Sequence, residues 1–284
     1  MLDIPLHYLW LVPLGILIGA FGTLIGAGGG FILVPILLLL YPNENTELIT
    51  SISLAVVFFN ALSGSWAYAR MKRIDYKSGM IFAAAPIPGA LLGAVSTAYV
   101  PRHAFDIFFG IVMIGGGIFL WLSARDAHPN DYRQPTQRSE SGVASQLIVR
   151  DLADADGIRY HYAYNPVVGI ALSIVAGFFS SLLGVGGGFI HVPAMTHLLN
   201  FPVHIATATS HFVLAVMSIT GTLVHVANGV FVHGLRRTAL LAVGVILGAQ
   251  LGAYMSNRIG GKAIIQGLAI ALLFVGVRLI LREI

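Results

Sequence analysis

Ten apolar segments, at about 9–25, 29–41, 48–69, 79–99, 104–123, 166–183, 188–200, 204–227, 236–256 and 263–281, fill nearly the whole 284-residue chain. That is more apolar length than one buried core absorbs, and the segments lack the amphipathic pattern of surface helices. Charged residues make up 10% and apolar residues 57%, with a mean hydropathy of +0.84, far from the roughly one-quarter charged composition of a soluble domain. The chain reads as an all-α polytopic membrane protein. Met1 to Tyr8 holds Asp3 and no Lys or Arg, so the first segment lacks the basic start of a secretory signal and is expected to stay in the fold. With no cysteine, disulfides, thiolate metal sites and cysteine nucleophiles are excluded.

The segments fall into two sets of five, 1–123 and 164–284, joined by a polar stretch at 124–163. "GAGGGFILVP" at 26–35 returns as "GVGGGFIHVP" at 184–193. Ser53 falls on Ser210 and Gly64 on Gly221 at a shift of 157, and "PGALLGA" at 88–94 on "LGAQLGA" at 247–253 at a shift of 159. This pattern is that of two homologous repeats, each with a Gly-rich helix break. The segment after each glycine knot spans only about 20 Å as a helix, against a hydrocarbon core of ~30 Å. It is either one arm of a re-entrant hairpin or a shortened crossing shielded by neighbours. Five crossings per set would make the repeats inverted, and four would make them parallel. Placing Arg70, Lys72, Arg73 and Lys77 in the cytoplasm, the charge count leans toward the parallel form, which sets Arg236 and Arg237 on the same side, but both topologies stay open. The first part of the polar stretch reads as a flexible linker. In "SQLIVRDLADADGIRYHYA" two β-like runs flank a turn ending in Asp156-Gly157, so a small β-hairpin is expected there, an ordered spacer or, alternatively, a gate or regulatory contact.

Consecutive glycines accept positive φ and leave several amide N–H groups without partners at the start of the next helix. In a membrane such donors must meet protein, water or a ligand, and the positive end of the helix dipole suits an anion. No Lys or Arg falls near the middle of any apolar segment, so an anion here is held by dipoles and neutral donors. Packing of small residues is the competing explanation for one knot; two matching knots favour a ligand.

The long segment after the second knot carries a polar stripe, His204, Thr207, His211, Ser218, Thr222 and His225, with Ser210 at its edge. The first half offers Thr50, Ser53 and Asn60, with Leu54 in place of His211. Intramembrane histidine is costly, which makes His211 a candidate for ligand contact or for carrying a coupling proton. Hydroxyls in membrane helices also bond their own backbone, the competing reading for each of them. Gln250, opposite Leu91 in the repeat, is a further polar candidate, and His191 follows a knot closely enough to reach an anion there. The histidines of the stripe lack the one-turn spacing and acidic neighbours of a metal site, so no metal is expected. Neither knot is followed by the Lys-Ser/Thr of a phosphate-binding loop, and no cofactor, nucleic-acid or catalytic motif is present; an enzyme is not expected.

Over nearly its whole length the chain resembles the sulfite exporter TauE/SafE family, on the double motif "GAGGGFILVP" and "GVGGGFIHVP" and the hydroxyl-bearing helix starts "ITSIS" and "TATSH". The resemblance implies transport of a small sulfur-containing anion, such as sulfite or an organosulfonate, across the bacterial cytoplasmic (inner) membrane. It carries a substrate-binding role to Gly28, Gly29, Gly30 and Phe31, to Gly186, Gly187, Gly188 and Phe189, and to Thr50, Ser51, Ser53, Thr207, Thr209 and Ser210. Asn60, His191, His211 and Gln250 join them from the residue reading. The expected protein is a secondary transporter in the lipid bilayer, coupled to a proton or other ion, with a homo-oligomer allowed. The alternatives are a passive anion channel and a non-transporting membrane assembly or sensor protein.

Overall fold

The computed structural model describes residues 8–126, 147–256, 258–259 and 261–283; the flexible linker expected at the start of the polar stretch lies mostly outside them. The helices are α1 (Leu11–Ile25), α2 (Gly30–Leu40), α3 (Thr46–Arg70), α4 (Tyr76–Ala84), α5 (Ile87–Thr97) and α6 (Arg102–Asp126). Strands β1 (Ile148–Ala153) and β2 (Arg159–Tyr164) follow, then α7 (Pro166–Leu183), α8 (Gly188–Pro193), α9 (Val203–Ala227), α10 (Leu235–Ser256) and α11 (Gly261–Glu283). Six helices among the described residues are long and apolar enough to cross a membrane, and a seventh crossing results if α4 and α5, bent by 43°, count as one. The single apolar segment at 79–99 is therefore broken, at Pro86 and Pro88, where prolines remove backbone donors and disfavour helix in the residue before them. After Pro193, α8 continues as a π-helical turn, Ala194–Leu198.

Lipid supplies no hydrophobic drive for helices to associate, so close backbone approach through small residues does that work. Along α1 and α10 a Cβ at Gly15 would stand 2.7 Å from the Leu241 carbonyl, and one at Gly19 2.7 Å from the Val245 carbonyl. Gly244, Gly248 and Gly252, one turn apart, face the backbone of Val12, Ile16 and Ala20 in return. The same device joins α5 to α7, where Gly89 and Gly93 abut Ile174 and Phe178 and Gly177 abuts Pro86. Gly110, Gly117 and Gly276 seat α6 on α11.

At the centre α3 and α9 run antiparallel. Glu47, in the first turn of α3, accepts from Asn228 past the end of α9 (3.3 Å), Leu54 lies against Gly221, and Tyr68 stacks edge-on to His211 (5.7 Å). Each has 25 residues, about 37 Å at 1.5 Å per residue, enough to traverse ~30 Å of hydrocarbon. The basic cluster after Arg70 and the Arg236–Arg237 pair thus sit at opposite ends of the molecule, against the lean of the charge count. Arg237 is a poor topological marker: it is buried, bound to Glu44 at 2.7 Å and stacked over Tyr41 at 4.4 Å.

The hairpin forms where the sequence places it, β1 and β2 pairing antiparallel from Ile148↔Tyr164 to Ala153↔Arg159, with Gly157 at φ 80° in the turn. It does not hang free. Tyr162 and Tyr164 pack on Phe201 with ring centroids 4.5 and 5.1 Å apart, and Ala155 N donates to the Met71 carbonyl at 2.9 Å.

Candidate functional site

Each knot is a left-handed turn that ends one helix and starts the next. In the first, Gly26, Gly28 and Gly29 have φ of 83°, 75° and 80°; in the second, Gly184, Gly186 and Gly187 have 69°, 86° and 70°. A side chain at any of these would be strained, which is why glycine recurs. The first turn is closed by Ala27 N and Gly28 N donating to the Gly22 carbonyl (2.9 and 3.1 Å), the second by Val185 N donating to the Ser180 carbonyl (3.0 Å).

The two turns meet. A Cβ at Gly30 would lie 2.5 Å from the Val185 carbonyl, and one at Gly188 2.6 Å from the Ala27 Cα, so the knots touch backbone to backbone. Gly28 and Gly186 both face Val57 of α3 and Leu214 of α9. Side chains of those central helices pin the turns: Ser53 donates to the Gly184 carbonyl (2.6 Å), Ser210 to the Gly26 carbonyl (3.2 Å), while Thr50 packs on Gly184 and Thr207 on Gly26. Val57, Leu214, Ala27 and Val185 have no exposed surface, and Phe31 and Phe189 are buried beside them.

Donors are left over at this junction. Among the described residues the amides of Gly29, Gly30 and Phe31, and those of Gly186, Gly187 and Phe189, take no backbone acceptor. The hydroxyls of Ser180, beside Gly187, and Ser181, beside Gly221, are buried without partners there, as is Nδ2 of Asn60, one turn along α3 from Val57. Asn60 Oδ1 is fixed by the Thr23 hydroxyl (3.1 Å), whose oxygen stands 3.1 Å from His211 Nε2. That geometry is satisfied with the imidazole proton on Nε2, and it aims the free amide of Asn60 away from Thr23. None of the side chains nearest the knots, Val57, Leu214, Ile18, Met217, Ser180, Thr50 and Thr207, is charged. Such a cluster can hold a small anion by amides and neutral donors. Among the described residues no three His, Cys, Asp or Glu side chains converge for a metal ion.

Other residues singled out from sequence lie elsewhere or have other partners. Thr50 and Thr207 donate to carbonyls of their own helices at Thr46 and Val203, and Ser51 to Leu48. Thr209 accepts from the Asp75 amide (3.0 Å), one step from the knot. His191 is buried against Phe82, with neither ring nitrogen bonded among the described residues. Gln250 sits on an exposed edge, bonded to Ser63. Thr23, Ser180 and Ser181 escaped the sequence reading, although Thr23 and Ser181 each stand three residues before their knot, in "TLIGAGGG" and "SLLGVGGG". A concavity of about 860 Å³ is an apolar groove on the outside between Leu39, Trp121 and the Ile270–Leu281 face of α11, a shape for lipid chains rather than an anion.

The family model described as Sulfite exporter TauE/SafE matches residues 11–279. The chain belongs to that family. Relatives cover most of its length: a protein of Bacillus subtilis (strain 168) named probable membrane transporter protein YunE is 35% identical over 97% of this chain and 98% of its own. A probable membrane transporter protein of Methanocaldococcus jannaschii is 22% identical over 92% of each, and YdhB of Bacillus subtilis, named likewise, is 26% identical over 86% of each. No solved structure shows a significant match. With family and apolar helices in agreement, this TauE/SafE protein is an integral membrane protein of a transporter family.

Proposed function

We propose that this protein is a secondary transporter, not an enzyme, that moves a small sulfur-containing anion, sulfite or a short organosulfonate, and holds it at the junction of the two glycine knots. One observation carries the reading: unpaired neutral donors, the knot amides with Ser180 Oγ beside Gly187, lie buried where the knots meet without a charged side chain beside them, and Asn60 Nδ2 and Ser181 Oγ are unpaired on the helices around them. Buried donors without acceptors cost about 1–3 kcal/mol each, which an oxyanion's several acceptor oxygens offset on binding. Without a fixed countercharge the anion also leaves readily, as transport requires.

The knots touch in this structure, and contacts span both ends, Arg237–Glu44 and Asn228–Glu47 at one and the docked hairpin at the other. Passage therefore needs the knots to part and one end to open at a time, the alternating access of secondary transporters. Coupling to a proton runs through His211, whose ring is bonded to Thr23 beside the free Asn60 amide. Equilibrium binding of sulfite and of ethanesulfonate to purified protein tests the site: Asn60→Ala should weaken both by about 10- to 100-fold, the value of one charge-assisted hydrogen bond. Unchanged affinity in a folded Asn60→Ala protein would remove this junction from consideration.

A further inference from the structure

A buried carboxylate is tolerable only when its oxygens are paired. Asp75, in the connection between α3 and α4, is fully buried, and its carboxylate accepts five hydrogen bonds. It accepts from Arg150 Nε (2.8 Å) and Nη2 (2.5 Å), the Tyr162 hydroxyl (2.8 Å), the Ser78 hydroxyl (2.5 Å) and the Ser78 amide (3.3 Å). Arg150 and Tyr162 are cross-strand partners in the hairpin, so both strands clasp one carboxylate. A second pair runs the other way: Arg73, also in the connection, reaches Asp154 of the hairpin turn at 3.3 Å, and both are buried. A tether needs none of this. Two crossed ion pairs, each with a buried carboxylate, fix the hairpin in one geometry on the membrane domain.

The clasp also touches the helix that pins a knot. Asp75 N donates to Thr209 Oγ1 on α9, and the next residue, Ser210, donates to the Gly26 carbonyl. A cleft of about 350 Å³ opens beside the hairpin turn, lined by Arg70, Met71, Ala155 and Asp156. Resting on the reading that the knots hold a transported anion, we propose that the hairpin is the gate at this end of the pathway. Docked on Asp75 it keeps the knot junction closed, and it must lift from the α3–α4 connection for the anion to pass.

The chain has no cysteine, which makes the gate directly testable. Met71 and Ala155 are joined by a backbone hydrogen bond, close enough for an engineered bridge, so Met71→Cys with Ala155→Cys can lock the hairpin down. In proteoliposomes loaded with sulfite or ethanesulfonate, the oxidised double variant should lose at least about ten-fold in flux, with recovery on reduction, while each single variant transports normally. Val57→Cys added to that background reports the junction itself. Labelling of residue 57 by an impermeant maleimide, read by peptide mass, should be blocked when the bridge is closed and restored when it is opened. Arg150→Met with Tyr162→Phe, which loosens the clasp without a bridge, should speed that labelling. Flux and labelling indifferent to a bridge verified by mass would overturn the gate. If the reduced protein moves neither anion while labelling still follows the bridge, the gate stands and the substrate reading fails.

Discussion

Gly188→Ala is the most informative single change at the junction. Gly188 does not need a positive φ, so the substitution tests contact alone. The new methyl would stand 2.6 Å from the Ala27 Cα and 2.6 Å from Leu214 Cδ1, where ordinary carbon contacts are about 3.5–4.0 Å. The overlap of roughly 1 Å falls on backbone, and Ala27 is held by its bond to the Gly22 carbonyl, so neither side yields freely. Overpacking of this kind costs about 1–3 kcal/mol, which disfavours the state with touching knots by roughly 5- to 150-fold. Gly267→Ala is the control, since a Cβ there meets nothing within 4 Å. It should leave the fold unchanged or strengthen it by up to about 1 kcal/mol through helix propensity. The assays are the thermal midpoint in detergent and maleimide labelling of Val57→Cys, which is fully buried between the knots. Gly188→Ala should lower the midpoint and speed labelling. A variant that matches its parent in both would refute the claim that the knots are in contact.

Three further outcomes follow from the same geometry. Ser180→Ala with Ser181→Ala should weaken sulfite binding by about ten-fold while leaving the thermal midpoint unchanged or raised, because neither hydroxyl has a protein partner among the described residues to lose. His211→Gln should keep a side-chain donor toward Thr23 yet abolish the response of flux to a pH gradient; if flux and its pH response both persist, His211 is not the proton carrier. Burial raises the Asp75 carboxyl, but the bonds from Arg150, Ser78 and Tyr162 outweigh it and hold it below the ordinary carboxylate range. Its folded value is depressed, so the clasp's stabilisation is fully present above the unfolded carboxyl's value and is lost as pH falls through the lower folded one. Hairpin protection from protease should accordingly be flat from about pH 5 to 8 and collapse only in strong acid, and Asp75→Asn should remove that acid step.

Sequence placed the apolar segments well because hydropathy is a local property, and it placed the knots because only glycine tolerates those turns. Pro86 and Pro88 carried the break in the fourth segment in plain view. Direction was harder. Whether α3 and α9 cross the same way depends on which side of the membrane each end faces, and one of the arginines used to judge it is buried against Glu44 and Tyr41. The hydroxyls needed tertiary contacts to sort: Ser53 and Ser210 reach across to the opposite knot, whereas Thr50, Ser51 and Thr207 turn back on their own helices, and nothing in "ITSIS" or "TATSH" separates the two fates. The hairpin itself was legible from its β-like runs and Asp-Gly turn. Its docking was not, since Asp75 and Arg150 lie 75 residues apart and meet only once the bundle has formed.

Flux in proteoliposomes of the purified, unmodified protein tests the central claim most directly, with sulfite, sulfate, ethanesulfonate and acetate compared with and without a pH gradient. Selective, saturable movement of sulfite or ethanesulfonate, with exchange between labelled pools, is the expected result. Folded and inserted protein that moves none of the four, or that passes all of them without saturation, would contradict it.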